Sequence, residues 1–353
     1  MSRRDNLRVA VVGVGHLGRV HSRIYSEMEG VELVGVVDTN RAVADQVADS
    51  LSTRAFYSHR DIIGLADAAS VATPTESHFP VACELLNAGI HLIIEKPITP
   101  SLEEAEELVA LAKKKGVCLQ VGHVERFNPA VMAVAPYIRS PRFIECDRIS
   151  PFSFRSIDIG VVLDLMIHDL DIVLAFVKSE PVEVEALGVA VFGEHEDMAS
   201  ARIRFANGCL AYLRASRISS KRLRKIRVFQ PDSYITLNYA EQTAHILRRK
   251  KRLSKEQLLM LREQYPSLEE AQQYLFRNLL EIETVPIKED EEPLRMELRS
   301  FIEAIRTGRE PEVSGELGLK AMRLATRILD SIRRNQESSD GAMGSCLGRR
   351  GVR

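Results

Sequence analysis

The amino-acid sequence predicts an α/β protein in two parts: a doubly wound parallel sheet, then an α/β unit with an open, mostly antiparallel sheet. Three observations predict it. Through about residue 120, short apolar runs alternate with helix-compatible stretches, the pattern of βαβ units whose sheet is covered on both faces. From about Val182 to Tyr239, strand-length segments are divided by turn signals such as Ala206-Asn207-Gly208, the pattern of antiparallel strands. At 353 residues the chain exceeds one typical domain and suggests two.

Each element has a local reason. Leu7 to Val12 is apolar apart from Arg8 and forms the first strand; a glycine-rich turn and a helix to about Met28 follow. Val31 to Val37 is a second strand, closed by Asp38, and Ala69 to Ala72, His91 to Ile94 and Val117 to Val121 continue the sheet. Residues 158–177 form an apolar helix in which Asp164, His168 and Asp171 stand at i, i+4 and i+7, on one stripe. Ser200 to Phe205 and Ile235 to Leu237 alternate sides, which leaves one face of the antiparallel sheet for packing or oligomerisation. Residues 255–282 read as helical, with Ser254 and Gln257 as a capping box at the start. Leu294 to Ile305 and Gly315 to Ile332 are two further helices, and the Ser-, Gly- and Arg-rich tail from Asn335 is expected to be disordered. The expected divisions are residues 1–124, 125–334 and a tail of 335–353.

Composition excludes several functions. A hydrophobic content of 45% with 27% charged residues belongs to a globular protein with large cores. A formal net charge of −1 supplies no field for nucleic acid or an anionic membrane, and there is no tryptophan for base stacking. The basic runs Lys221 to Lys225 and Arg248 to Arg252 read as solvated segments, although the second could meet a diphosphate. Ionisable groups within 158–177 argue against membrane insertion, and the N-terminus lacks the apolar stretch of a signal peptide. Five scattered cysteines without metal-ligand spacing suggest reduced thiols in the cytoplasm and no metal.

Three motifs carry chemistry. Gly13-Val14-Gly15-His16-Leu17-Gly18 lies between a strand and a helix. There its glycines permit a tight turn, approach of a pyrophosphate and close helix–strand packing. The helix N-terminus offers N–H groups to phosphates, and Asp38, at the end of the next strand, can bind the ribose hydroxyls of NAD. That acid disfavours NADP, although Arg41 nearby could accommodate a phosphate. Glu95-Lys96-Pro97 closes a strand at the carboxyl edge of the sheet, where ligands bind. Lys96 is either a surface lysine or a donor to a reacting oxygen. His168, one turn from Asp164, is either a satisfied core histidine or a general base.

Together the glycine loop, Glu95-Lys96-Pro97 and Asp164-x-x-x-His168 resemble the Gfo/Idh/MocA family of oxidoreductases across residues 7–333. Ala72-Thr73-Pro74-Thr75-Glu76-Ser77-His78 resembles the family's cofactor-contacting turn. The resemblance implies a Rossmann domain followed by an α/β domain, and Lys96, Asp164 and His168 as the catalytic group. It implies NAD held by Gly13, Gly15, His16, Leu17, Gly18, Asp38, Thr73, Pro74, His78, Glu95 and Lys96. Arg126, Phe127 and Asn128 resemble the substrate-side loop, with His168 also facing the substrate. The bland alternative is a crossing loop held by structural hydrogen bonds. Glu292 to Leu298 and Val313 to Glu316 resemble the nucleotide-sugar branch, which acts at C3 of UDP-N-acetylglucosamine ahead of amination for lipid A or surface glycans. The expected protein is thus a sugar dehydrogenase, a homodimer or homotetramer, with an aminotransferase downstream. The competing readings are a free polyol dehydrogenase of the inositol kind and a non-catalytic dinucleotide sensor.

Overall fold

The computed structural model describes residues 6–153, 159–288 and 292–347. Its described residues form two compact units: 6–127 with 292–327, and 128–153 and 159–288 with 328–347.

The first unit is built on a six-stranded parallel sheet ordered β3-β2-β1-β4-β5-β6. Its strands are β1 (Leu7–Val12), β2 (Val31–Val37), β3 (Ala55–Phe56), β4 (Ala68–Val71), β5 (His91–Glu95) and β6 (Leu119–Gly122). Helices α1 (His16–Glu27), α2 (Arg41–Leu51), α3 (His78–Asn87) and α4 (Leu102–Lys115) are the crossovers. The order reverses at β1 and β4, so the loops after these strands form the crevice that doubly wound sheets use for ligands. Strand β4 is buried throughout and β1 over its last four residues, as expected where helices cover both faces.

The second unit carries an eight-stranded sheet ordered β14-β13-β12-β11-β7-β10-β9-β8. The strands are β7 (Phe143–Ile149), β8 (Pro181–Val189), β9 (Met198–Phe205), β10 (Leu210–Ser216), β11 (Leu223–Phe229), β12 (Ser233–Asn238), β13 (Thr243–Arg249) and β14 (Leu280–Thr284). Strands β7 and β10 run parallel and the other neighbours antiparallel. Burial alternates strictly along β9, so one sheet face is packed and the other open. Helix α5 (Pro129–Val134) opens the unit, and α6 (Ile167–Val177) packs on β7.

Four expectations change. The striped segment is not one straight helix: Val162–Met166 form a π-turn ahead of α6, and Asp158 lies outside the described residues. Residues 255–282 are two helices, α7 (Lys255–Gln264) and α8 (Leu268–Leu279), with β14 starting at Leu280. Pro266 breaks the run and Ser267 caps α8, as Ser254 and Gln257 cap α7. Helix α9 (Pro293–Thr307) belongs with the first unit rather than the second, because Leu294, Leu298, Phe301 and Ile302 share a core with Val9, Val11, Ile24 and Tyr25. Finally, α10 (Gly315–Leu347) continues as helix beyond Asn335, where a disordered tail was expected. Its Ser331 hydroxyl accepts from the Ala186 amide and Asn335 donates to the Ala186 carbonyl, which ties that half to β8. Residues 348–353 lie outside the described residues. No described helix is long and apolar enough to cross a membrane.

Candidate active site

The β1–α1 loop is shaped by contacts that admit only glycine. Gly13 has φ +85°, and a Cβ there would stand 2.8 Å from the backbone of Ala72 and Thr73. A Cβ on Gly18 would lie 1.8 Å from the Gly13 carbonyl oxygen, so α1 rests directly on the turn. Gly15 is different: it is exposed, a Cβ there would meet nothing within 4 Å, and it caps α1 without a side-chain acceptor. The first N–H groups of α1 therefore face open space beside exposed His16 and Leu17, the arrangement that accepts a pyrophosphate. Asp38 closes β2 and takes backbone N–H groups on both oxygens, from Val14 at 3.0 Å and Asn40 at 2.9 Å. Its carboxylate is thereby fixed beside the glycine loop. Arg41 stacks over the Tyr57 ring, 4.4 Å from the centroid. These residues fit a dinucleotide.

The neighbouring turn is tied to the Lys96 strand end. The His78 ring stands 2.9 Å from the Thr73 carbonyl and 3.0 Å from the Pro97 carbonyl, joining the Thr73-Pro74 turn to the Lys96-Pro97 turn. Burial pushes the His78 imidazole below its ordinary range, against the pull of these carbonyls. Half-buried Lys96 follows Glu95, the last residue of β5.

Beneath that strand end lies a polar network that sequence reasoning missed. His21 of α1 stands 2.9 Å from Glu95 Oε1 and 3.1 Å from the Ser70 hydroxyl, which in turn bonds Tyr25 at 3.0 Å. Burial works to raise the Glu95 carboxyl, but its hydrogen bond with His21 and the nearby His21 and Lys96 charges hold it below the ordinary carboxylate range. Tyr25 is pushed well above its usual value by burial. The available signal was polar residues on the buried face of an amphipathic helix, His21 and Tyr25, beside a buried strand serine.

In the second unit, Asp164 sits in the π-turn and His168 in the first turn of α6; both are half-buried. Asp171, one turn on in α6, is 1% exposed, so it is buried more deeply than the other two residues of the stripe. The turn is held from outside: Glu196 accepts from the Val161 amide through its carbonyl and from the Val162 amide through its carboxylate, both at 3.0 Å.

The 126–128 segment is largely committed to structure. Asn128 caps α5 through the Ala130 amide, accepts from Gln242 and donates to the Tyr239 carbonyl, while Phe127 is buried. Arg126 is half-buried with Glu312 at 4.0 Å. A cavity of about 320 Å³ lined by His91, Cys118, Gly308 and Pro311 lies at the amino ends of β5 and β6, the wrong edge of the sheet for this chemistry. Burial raises the Cys118 thiol to about 12, which disfavours its thiolate form.

Known proteins match this architecture. The profile of an oxidoreductase family with an NAD-binding Rossmann fold, Gfo/Idh/MocA, matches residues 7–123, and that of its C-terminal domain matches 142–232. UDP-N-acetylglucosamine 3-dehydrogenase of Acidithiobacillus ferrooxidans is 41% identical over 249 residues, 69% of this chain and 78% of the relative. Its solved structure superposes with a TM-score of 0.81, covering 93% of this chain and 98% of that one at 34% identity. An NAD-dependent scyllo-inositol 2-dehydrogenase of Bacillus subtilis is 30% identical over 240 residues, 60% of this chain and 68% of the relative.

Proposed function

The chain belongs to the Gfo/Idh/MocA family of NAD-binding oxidoreductases, and from that premise we propose that it oxidises a ring hydroxyl of a nucleotide sugar, at C3 of a UDP-N-acetylglucosamine-type substrate. The dehydrogenase reading is carried by the glycine loop and Asp38 sharing one sheet edge with Lys96. The substrate reading is supported by the 41% identity to an enzyme named for that sugar.

The residues divide the work. Gly13, Gly15, His16, Leu17 and Gly18 receive the pyrophosphate, and Asp38 takes the ribose hydroxyls. Asp38 favours NAD over NADP because a 2′-phosphate would bring a second anion to its carboxylate, and Arg41 is engaged by Tyr57. Thr73, Pro74, His78 and Glu95 shape the remaining wall. NAD, when bound, supplies the carbon that accepts hydride. His168 takes the proton of the substrate hydroxyl as general base. Asp164 orients the imidazole, and Lys96 donates to the same oxygen and stabilises its alkoxide character. Arg126 is the substrate-side donor that we retain, while Phe127 and Asn128 hold the loop. The product is a ketone suited to amination, which places an aminotransferase downstream, on a cytoplasmic route to lipid A or a surface glycan. Leu187, Val189 and Tyr212, exposed on the open sheet face, are the contact we assign to a homodimer or homotetramer.

NADH formation with UDP-N-acetylglucosamine, beside inositol and simple hexoses and with an aminotransferase to draw off the ketone, tests this. Turnover of the nucleotide sugar is expected. Turnover of inositol instead would establish the free-polyol reading, which the similarity to an inositol dehydrogenase supports. NAD binding without turnover of any sugar would point to a sensor.

A further inference from the structure

The helix that carries His168 does not run straight into it. A π-turn at Val162–Met166 hands over to α6 at Ile167. Such a turn holds one residue more than an α-turn, so the helix beyond it is rotated by roughly 100° against a continuous α-helix. The direction of His168 therefore depends on whatever keeps that extra residue in place.

Asp169, next in the chain, is 1% exposed and faces a buried cation. Arg148 of β7 grips it at two points, Nε to Oδ2 and Nη2 to Oδ1, each at 3.0 Å. The same Nη2 donates to the Tyr239 hydroxyl at 2.8 Å, and that hydroxyl donates to Asp169. The Arg148 guanidinium also stands 5.1 Å from the Tyr239 ring centroid. A buried ion pair adds little stability over apolar residues of equal volume. What it supplies here is direction, because a guanidinium fork fits a carboxylate in one orientation. Slipping α6 by one residue would set His168 or Leu170 opposite Arg148 and leave a buried charge without its carboxylate.

We propose that Arg148, Asp169 and Tyr239 are positioning residues: their clamp fixes the register of the π-turn and thereby aims His168. The proposal rests on His168 being the base. Tyr239→Phe deletes one hydroxyl, whereas Arg148→Met combined with Asp169→Leu removes both charges and leaves neither buried alone. His168→Gln assigns the His168 ring resonance in histidine-labelled protein. Both clamp variants are expected to shift that resonance. Turnover of UDP-N-acetylglucosamine should fall ~10-fold in Tyr239→Phe and ~100-fold in the double variant, with KM and NAD affinity within about twofold. A folded double variant with the resonance unmoved and turnover within about twofold overturns the proposal. Should the double variant not fold, Tyr239→Phe decides by the same two readouts. Failure of the base assignment looks different: His168→Gln keeps full turnover, while the resonance comparison, which needs no substrate, still decides whether the clamp aims the ring.

Discussion

Two buried polar networks flank the residues assigned to catalysis, and they are built from different chemistry. Next to Lys96 the partners are His21, Ser70, Tyr25 and Glu95, a set of hydroxyls, an imidazole and a carboxylate whose hydrogens can be rearranged. Next to His168 they are Arg148, Asp169 and Tyr239, centred on a cation that is never deprotonated. The first network balances charge at the end of a strand whose backbone direction the sheet already fixes. The second grips a helix whose rotation follows from the register of the π-turn ahead of it. Adjustable groups stand where the sheet settles direction, and a rigid fork stands where a helix register does.

The largest expected effect separates chemistry from support. His168→Ala should lower turnover by ~10³-fold while NAD affinity, measured by fluorescence titration, stays within about twofold. Wild-type turnover would remove the reason for a clamp beside it. Lys96→Met should cost ~10²-fold in kcat through loss of the donor to the developing alkoxide. An effect on KM alone would make Lys96 a binding residue and weaken the parallel between the networks.

The titratable network should show itself in acid. The Glu95 carboxyl lies below its ordinary value in the folded chain. Its contribution is therefore present above the unfolded value of ~4.3 and lost as pH falls through the lower, folded value. Glu95→Gln should cost about 1–3 kcal/mol at neutral pH and flatten the acid limb of melting temperature against pH. An unchanged acid limb would mean that the pair does not titrate with folding. The smallest effect is expected from Tyr25→Phe, which leaves Ser70 its bond to His21 and should cost about 1 kcal/mol in urea unfolding with turnover unchanged.

Much of this was legible beforehand where one residue's backbone decides the matter. Gly13 needs positive φ and Gly18 needs contact with Gly13, so the glycine spacing marked the turn. Ser254 and Gln257 satisfy each other's backbone, and the capping box could be read from four letters. The apolar stripe of α9 was equally plain, yet nothing in it names the surface it covers, and α9 returned to the first unit. Pro266 is the local signal for the break between α7 and α8, within the stretch 255–282 that reads as helical.

The sequence by itself determined the parallel sheet, the glycine loop and Asp38 at its strand end. These depend on dihedral limits and side-chain periodicity, which act over a few residues. Only the tertiary structure decided that Asp171 is buried, that a π-turn precedes His168, and that His21 meets Glu95 from 74 residues away. Those outcomes depend on burying charged groups beside partners supplied by other elements. A buried charge is costly until such a partner arrives, and the packing of the whole unit selects which one does.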